Sequence, residues 1–326
     1  MALARKKMPT VWVLADDRAG NRAQCLGVAD ALGLEYRVRE ITYGGLSALP
    51  NIFLGATFAG LSPESHNALK APWPNVVIAA GRRTAPVARK IKRLADNNCF
   101  LVQIMDPGAG ARDFGLIVRP SHDEAVGGDN VIRITGAPHQ ITPKMLEKAA
   151  SRWSERIGDL PKPWIALIVG GSTRRRRFTE AMARELGNRA SKMAEEAGGS
   201  LLVTTSRRSG SEGETLIDAI HAPKRIFRWG GGNDKENPYH GYLALADAVV
   251  VTGDSVSMVS EACAGTGPVY IFAPHALTVP KHARLHAILY NKDYAKPFDG
   301  SLEKWSHPPL NPAAEIAEAI RVQLKL

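Results

Sequence analysis

At 326 residues the chain is longer than one hydrophobic core comfortably serves, which predicts two domains of ordinary size. Hydrophobic residues make up 44% and charged residues 23%, an ordinary globular composition with no apolar run near the roughly 20 residues of a membrane-spanning helix. A net charge of +10 calls for an anionic partner, yet aromatic residues are only 6% and no nucleic-acid module is present. Nucleic acid is therefore not expected; a phosphorylated small molecule or an anionic membrane surface is.

The basic stretch from Met1 to Pro9 has no apolar segment behind it, and strand-like sequence begins at once. Neither a signal nor a transit peptide is expected, and a cytoplasmic location, peripheral at the inner membrane through the basic surface, follows. The first strand, Thr10 to Asp16, meets a polar turn at Asp17–Asn21 and then a helical stretch, Gln24 to Leu32. Further strands are expected at Glu35–Ile41, Asn75–Ala80, Phe100–Met105 and Gly115–Val118, with a helix over Ala85–Ala95. Leu160-Pro-Lys-Pro-Trp164 reads as a linker, after which the rhythm restarts with a strand at Ile165–Val169. The turn Gly170-Gly171-Ser172 then leads into a helix with Phe178, Met182, Leu186 and Met193 on one face. Strands at Ser200–Thr205, Arg225–Trp229, Ala248–Thr252 and Val269–Phe272 alternate with helices at Glu212–Ile220, Ser255–Ala264 and Ala283–Tyr290. The last helix has Asn311 as cap and Pro312 at its first position.

Near-continuous apolar strands alternating with helices describe parallel sheets covered on both faces. The expected fold is α/β, with two Rossmann-like doubly wound domains facing a cleft. Residues 1–158 would form an acceptor-side domain and 159–310 a nucleotide-diphosphate domain. The helix 311–326 would pack back on the first. Cys25, Cys99 and Cys263 are odd in number, widely separated and set in apolar segments, hence buried thiols of a reducing compartment.

Ligands of such sheets lie beyond the carboxyl ends of the strands, which selects the loops to inspect. The run Val249 to Ala262 ends a buried strand in Thr252-Gly253-Asp254-Ser255 and starts a helix there, where free amides and the positive helix end suit a diphosphate. Gly253, Ser255 and Ser257 would let phosphate oxygens approach, and Glu261, two turns in, would accept ribose hydroxyls. The competing reading makes Asp254 or Ser255 an N-cap and Glu261 a solvated helix residue. At Gly171-Ser172-Thr173-Arg174 the glycine permits close backbone approach, and Arg174 or a neighbour would neutralise the diphosphate. The alternative is a basic, solvated first helical turn. Neither a Walker loop nor a Gly-x-Gly-x-x-Gly fingerprint is present.

In the first half, Asp16 or Asp17 is a candidate general base, with Asn21 and Gln24 on acceptor hydroxyls. A turn aspartate and a capping asparagine are the plain alternatives. Arg82 and Arg83, in Gly81-Arg82-Arg83-Thr84, would hold an anionic acceptor; surface solvation is the alternative. Asp106 and His122 are further acid/base candidates. His282 and His286 have helical metal-ligand spacing but lack the intervening glutamate and a third ligand, and no strand-end Asp-x-Asp exists. No metal and no cofactor are expected.

The opening Val-Leu-Ala-Asp-Asp-Arg-Ala-Gly-Asn-Arg-Ala-Gln, with Gly81–Thr84, Gly170–Ser172 and Thr252–Ala262, resembles the mitochondrial-fission "elongated mitochondria" family over nearly the whole chain. Bacterial members of that family are described as glycosyltransferases. The second half is also similar to the GT-B peptidoglycan N-acetylglucosaminyltransferase that makes lipid II. By that similarity Gly171, Ser172, Ser255, Ser257 and Glu261 contact a donor UDP-sugar, with Glu261 on the ribose. The glycine-rich loop of that enzyme's first domain is absent here, and Asp-Arg-Ala-Gly-Asn-Arg stands in its place. The resemblance implies sugar transfer from a nucleotide-diphospho-sugar to a saccharide or lipid-linked acceptor. It equally allows a non-catalytic adaptor, since plant members are implicated in recruiting a fission dynamin, and a sugar-nucleotide epimerase is the third alternative.

Overall fold

The computed structural model describes residues 8–124, 127–232 and 236–326. It divides into two compact units, residues 1–140 with 311–326 and residues 141–310, each built on its own six-stranded, all-parallel sheet.

In the first unit β1 (Val11–Ala15), β2 (Tyr36–Glu40), β3 (Val76–Ala80), β4 (Phe100–Ile104), β5 (Leu116–Pro120) and β6 (Val131–Ile134) run in the order β2-β1-β3-β4-β5-β6. Successive side chains of a strand point to opposite faces, so the apolar runs feed two cores. Val11, Val13, Val76 and Ile78 pack with Val28 and Leu32 of α1 (Ala19–Leu32) and Ile316 and Ile320 of α11 (Pro312–Leu324). Trp12, Leu14, Val77 and Leu101 face the other way, onto Val87, Ala88 and Ile91 of α4 (Ala85–Leu94). Asn311 caps α11 as its sequence predicts, its Oδ1 accepting the Ala314 N–H at 3.1 Å. Gly27 lets α1 approach the backbone at His139: a Cβ there would stand 2.5 Å from the carbonyl oxygen.

The second unit contains β7 (Trp164–Ile168), β8 (Ser200–Thr204), β9 (Lys224–Phe227), β10 (Ala248–Thr252), β11 (Val269–Phe272) and β12 (Lys296–Pro297), ordered β12-β11-β10-β7-β8-β9. The same alternation holds: Ile165, Leu167 and Val250 face α6 (Glu180–Glu196) and α7 (Gly210–Asp218), while Ala166, Ile168, Val249 and Val251 face the opposite core. α8 (Tyr239–Leu245), α9 (Val256–Ala262) and α10 (Pro280–Asn291) complete it.

Two expectations need correction. The boundary lies at 140/141 and not at 158, because α5 (Pro143–Ile157) packs on α8 and its Ile157 is buried in the second unit's core. Leu160–Trp164 is accordingly no linker: Trp164 opens β7, and its Nε1 donates to the Leu160 carbonyl at 3.0 Å. The strand β6 and the helices α5 and α8 have no counterpart in the sequence reading. All three cysteines are buried and unbridged.

Candidate functional site

A doubly wound sheet has one place where the strand order reverses, and the crevice beyond the carboxyl ends there is the habitual ligand position. In the second unit β7, the first strand, has the next strand β8 on one side and the later β10 on the other, so the reversal falls between β7 and β10. The turn leaving β7 is Gly170-Gly171-Ser172, and the turn leaving β10 is Gly253-Asp254-Ser255. Both loops singled out from sequence thus stand at one switch point.

Hydrogen bonds tie them together. The Gly170 N–H donates to Thr252 Oγ1 at 2.7 Å and the Gly171 N–H to Asp254 Oδ2 at 3.2 Å. The same oxygen pairs with Arg208 Nη1 at 2.7 Å. The Asp254 side chain is fully buried (0% exposed) and its Oδ1 has no hydrogen-bond partner, whereas Arg208 keeps 32% of its side chain exposed. A guanidinium has five N–H donors, so this one is anchored from below with donors to spare. Space explains the glycines. A Cβ on Gly170 would lie 2.3 Å from Asp254 Oδ1, and one on Gly171, whose φ is +143°, 2.0 Å from the Arg208 carbonyl oxygen. Ser206 and Ser209, in the loop after β8, each donate a hydroxyl to the Gly170 carbonyl at 2.6 Å.

The basic run behaves differently from its sequence reading. α6 begins at Glu180 with Thr179 as cap, so Arg174–Arg177 do not form a first helical turn. Thr173 closes a local turn instead, its Oγ1 accepting the N–H groups of Arg175 and Arg176 at 3.3 and 3.1 Å. Ser172 Oγ accepts the Phe178 N–H, and Arg174 is exposed, with no ionic partner among the described residues. Arg208, absent from the sequence candidates, is the cation the fold brings to the switch point. No sequence signal separated it from the other arginines, because its selection depends on β8 lying next to β7.

Ser255 is the N-cap of α9, its Oγ accepting the Met258 N–H at 3.4 Å, as the competing sequence reading proposed. Ser257 is half-buried and makes no side-chain hydrogen bond. Glu261 is not a solvated helix residue. Its Oε2 accepts the Tyr239 hydroxyl at 2.6 Å; burial raises its pKa above the ordinary carboxylate value, and the Tyr239 bond works against that rise. Behind the turn, a Cβ on Gly253 would meet the His286 ring at 2.6 Å. Burial first, and His282 second, lower the His286 pKa to about 4, while burial also lowers that of His282. A cavity of about 490 Å³ lies at the ends of β11 and β12, lined by Phe272, Ala273, Thr278, His286, Tyr290 and Phe298. Among the described residues no group of three or more His, Cys, Asp or Glu could hold a metal ion.

In the first unit the reversal falls between β1 and β3, and again the two loops there are the ones the sequence marks. Asp16 is buried and accepts the Arg18 N–H at 3.1 Å and the Asn21 amide at 3.0 Å, with Arg83 Nη2 at 3.6 Å. Asn21 is therefore not a cap; its amide also reaches the Ala80 carbonyl at 3.4 Å and joins the two loops. Asp17, 55% exposed, forms a two-bond ion pair with Arg83, whose guanidinium lies 4.2 Å above the Tyr43 ring. Arg82 is bound to the Leu49 carbonyl at 2.6 Å and to Asn51 Oδ1 at 3.3 Å. Gln24 is half-buried in α1. Asp106 is exposed, accepts the Gly108 N–H at 2.8 Å and faces Arg119 at 3.3 Å, while His122 is buried. Asp106 and the Asp16–Asp17 pair stand in loops of different strands, β4 and β1.

With this geometry in hand, the chain can be set beside known proteins. A Methanocaldococcus jannaschii UDP-GlcNAc 2-epimerase, solved with UDP-GlcNAc and UDP, has a similar fold at a TM-score of 0.55 and 10% identity, over 97% of this chain and 100% of that one. An uncharacterised Rickettsia prowazekii protein, RP120, is 31% identical over 97% of this chain and 99% of its own length. The mitochondrial fission protein ELM1 of Arabidopsis thaliana is 32% identical over 307 residues, 86% of this chain and 71% of the plant protein. The family model for mitochondrial fission ELM1 matches residues 19–324, and the chain belongs to that family.

Proposed function

We propose that the second unit binds the diphosphate of a nucleotide-diphospho-sugar at the β7–β10 switch point, and that the chain transfers the sugar to a saccharide or lipid-linked acceptor. The observation that carries this reading is the half-exposed Arg208 guanidinium, fixed by buried Asp254 against the Gly170-Gly171 backbone. The small residues Ser255 and Ser257, at the start of α9, follow directly on Asp254. Arg208 then takes the role that Arg174 held in the sequence reading. As the sugar departs, negative charge grows on the diphosphate, and a pre-positioned guanidinium stabilises that charge without reorganising. Glu261 keeps Oε1 for a ribose hydroxyl while Tyr239 holds Oε2. In the first unit Asp17 is the better candidate to accept the acceptor's proton, since Asp16 is buried and fully engaged. No metal or cofactor is invoked.

A second reading, epimerisation of a sugar nucleotide, draws on the fold shared with the archaeal epimerase. Labelled UDP-sugar incubated without acceptor separates the two: epimerisation yields a new sugar nucleotide, transfer does not. The shared prerequisite is tested first. Purified protein is melted with UDP, GDP and ADP in turn, and a bound ligand raises the midpoint by mass action. No rise with any of them overturns both enzyme readings and leaves the family's adaptor role.

A further inference from the structure

The segment from Ile41 to Pro63 contains no Asp, Glu, Lys or Arg, 23 consecutive uncharged residues in a chain that is 23% charged. It forms a closed loop in the first unit. Its base is pinned by a bridge between Tyr43 and Leu61, with the Gly44 N–H donating to the Gly60 carbonyl at 3.0 Å and the Ser62 N–H to the Thr42 carbonyl at 3.0 Å. Inside the loop, Phe58 and Leu61 enter the core, and buried Asn51 donates to the carbonyls of Arg82 at 2.9 Å and Pro107 at 2.6 Å. Outside, Leu46, Leu49, Ile52 (72% exposed) and Phe53 (78% exposed) project from a 3-10 turn at Gly45–Ala48 and from the short helix α2 (Asn51–Leu54).

Four large apolar side chains held outward on a loop bolted in place from within are not stray surface residues. Contiguous exposed apolar groups of this kind mark an interaction surface. The charges around it decide the partner. Arg82, bonded to the loop at the Leu49 carbonyl, has no carboxylate within 4.0 Å among the described residues. Between residues 41 and 95 there are seven Lys or Arg and a single acid, Glu64. Four of those cations lie on α4, beside which α2 packs. From outside that window Asp17 offsets Arg83 and Asp113 offsets Arg89, which leaves Lys70, Arg82, Lys90, Lys92 and Arg93 without an ion pair among the described residues. An apolar tip beside this excess of positive charge fits lipid tails below a layer of anionic headgroups.

We propose that this loop seats the first unit on an anionic bilayer surface, Ile52 and Phe53 entering the acyl boundary and Arg82 lying at headgroup level. Among the described residues no helix is long and apolar enough to cross a membrane, so the contact is peripheral. It does not rest on the nucleotide reading and can fail alone.

The test is co-sedimentation of the full chain with vesicles of phosphatidylcholine, alone or with phosphatidylglycerol. The expected result is pelleting only with the anionic vesicles, weakened by salt, and a loss of about tenfold or more in affinity for the I52E/F53E double variant. Because the three native cysteines are buried, an F53C variant can carry a polarity-sensitive dye at one accessible thiol. That dye should brighten on anionic vesicles in a protein whose melting curve is unchanged. Wild-type protein left in the supernatant, a double variant that pellets like wild type, or a dye that stays dim overturns the proposal. A dimer in light scattering that the double variant abolishes, with no vesicle binding, assigns the surface to a second copy instead.

Discussion

Each unit places a buried aspartate just past a strand that flanks its reversal point, Asp16 after β1 and Asp254 after β10, and each gives it an arginine from another strand-end loop, after the adjacent β3 in the first unit and after β8, beyond β7, in the second. Beyond that the two diverge. Asp16 is satisfied on both oxygens by the Arg18 N–H and the Asn21 amide, and Arg83 spends itself on Asp17 and the Tyr43 ring. Asp254 leaves Oδ1 unpartnered, and Arg208 keeps 32% of its side chain exposed. Around its buried aspartate the first network is closed, and Asp17 reaches solvent; the second is open at the aspartate itself. An unmet buried oxygen is costly, and such costs persist where a ligand or a strained turn requires them.

The contrast can be broken at its glycines. Ala at Gly171 puts a methyl against the Arg208 backbone in a positive-φ region, and nothing rigid there can yield. We expect a loss of about 3–5 kcal/mol, combining overpacking and backbone strain. Ala at Gly81 (φ +81°) meets only the end of the Asn21 side chain, which can move, so about 1–2 kcal/mol is expected. Urea unfolding of both variants measures the difference. Equal losses would mean the two turns are equally adaptable.

The ligand response should sharpen the same contrast. At a hundredfold excess over its Kd, a nucleotide stabilises by about 2.7 kcal/mol. Arg208→Ala should abolish most of that rise and Arg83→Ala should keep it. The reverse result would move the anion site to the first unit.

Much of this was legible in the sequence because it depends on local pattern. Near-continuous apolar strands, an asparagine cap followed by proline, and glycines at strand ends each have a local cause. Both switch points lie just after apolar strands, where the polar turns stand in the sequence. Arg208 and Tyr239 were not legible, because each matters through one long-range neighbour, Asp254 and Glu261 respectively. The boundary at 140/141 was missed for a related reason. Pro161 and Pro163 read as a linker, but which core receives Ile157 is a tertiary fact. The arginine run misled in the opposite direction: Thr173 bonds its own following amides and delays the helix to Glu180.

Acid offers a third probe, specific to the second unit. His286 has a folded pKa of about 4 against an ordinary value of 6.5. Below 6.5 the unfolded chain takes up a proton that the folded chain refuses, so the stability from neutral His286 is present above 6.5 and is lost as pH falls toward 4. The loss should be about 3 kcal/mol. His286→Gln, which cannot titrate, should flatten the dependence of the melting midpoint between pH 4 and 6.5. An unchanged slope would place the acid sensitivity elsewhere.

The smallest expected effect concerns Glu261. Burial drives its pKa up and the Tyr239 hydroxyl holds it down, so Tyr239→Phe should raise it further, visible in carbon-detected NMR of the side-chain carboxyl. Removing one hydroxyl from a carboxylate partner costs about 1–2 kcal/mol of stability. The sign matters more than the size. Without the Tyr239 hydroxyl the Glu261 carboxyl is no longer held at Oε2, so the variant should also weaken UDP binding while leaving free phosphate or pyrophosphate unaffected. If UDP and pyrophosphate lose affinity together, Tyr239 supports the fold of the whole switch point. If neither changes, Glu261 lies off the nucleotide, and the ribose contact inferred for it is wrong even where the diphosphate site is right.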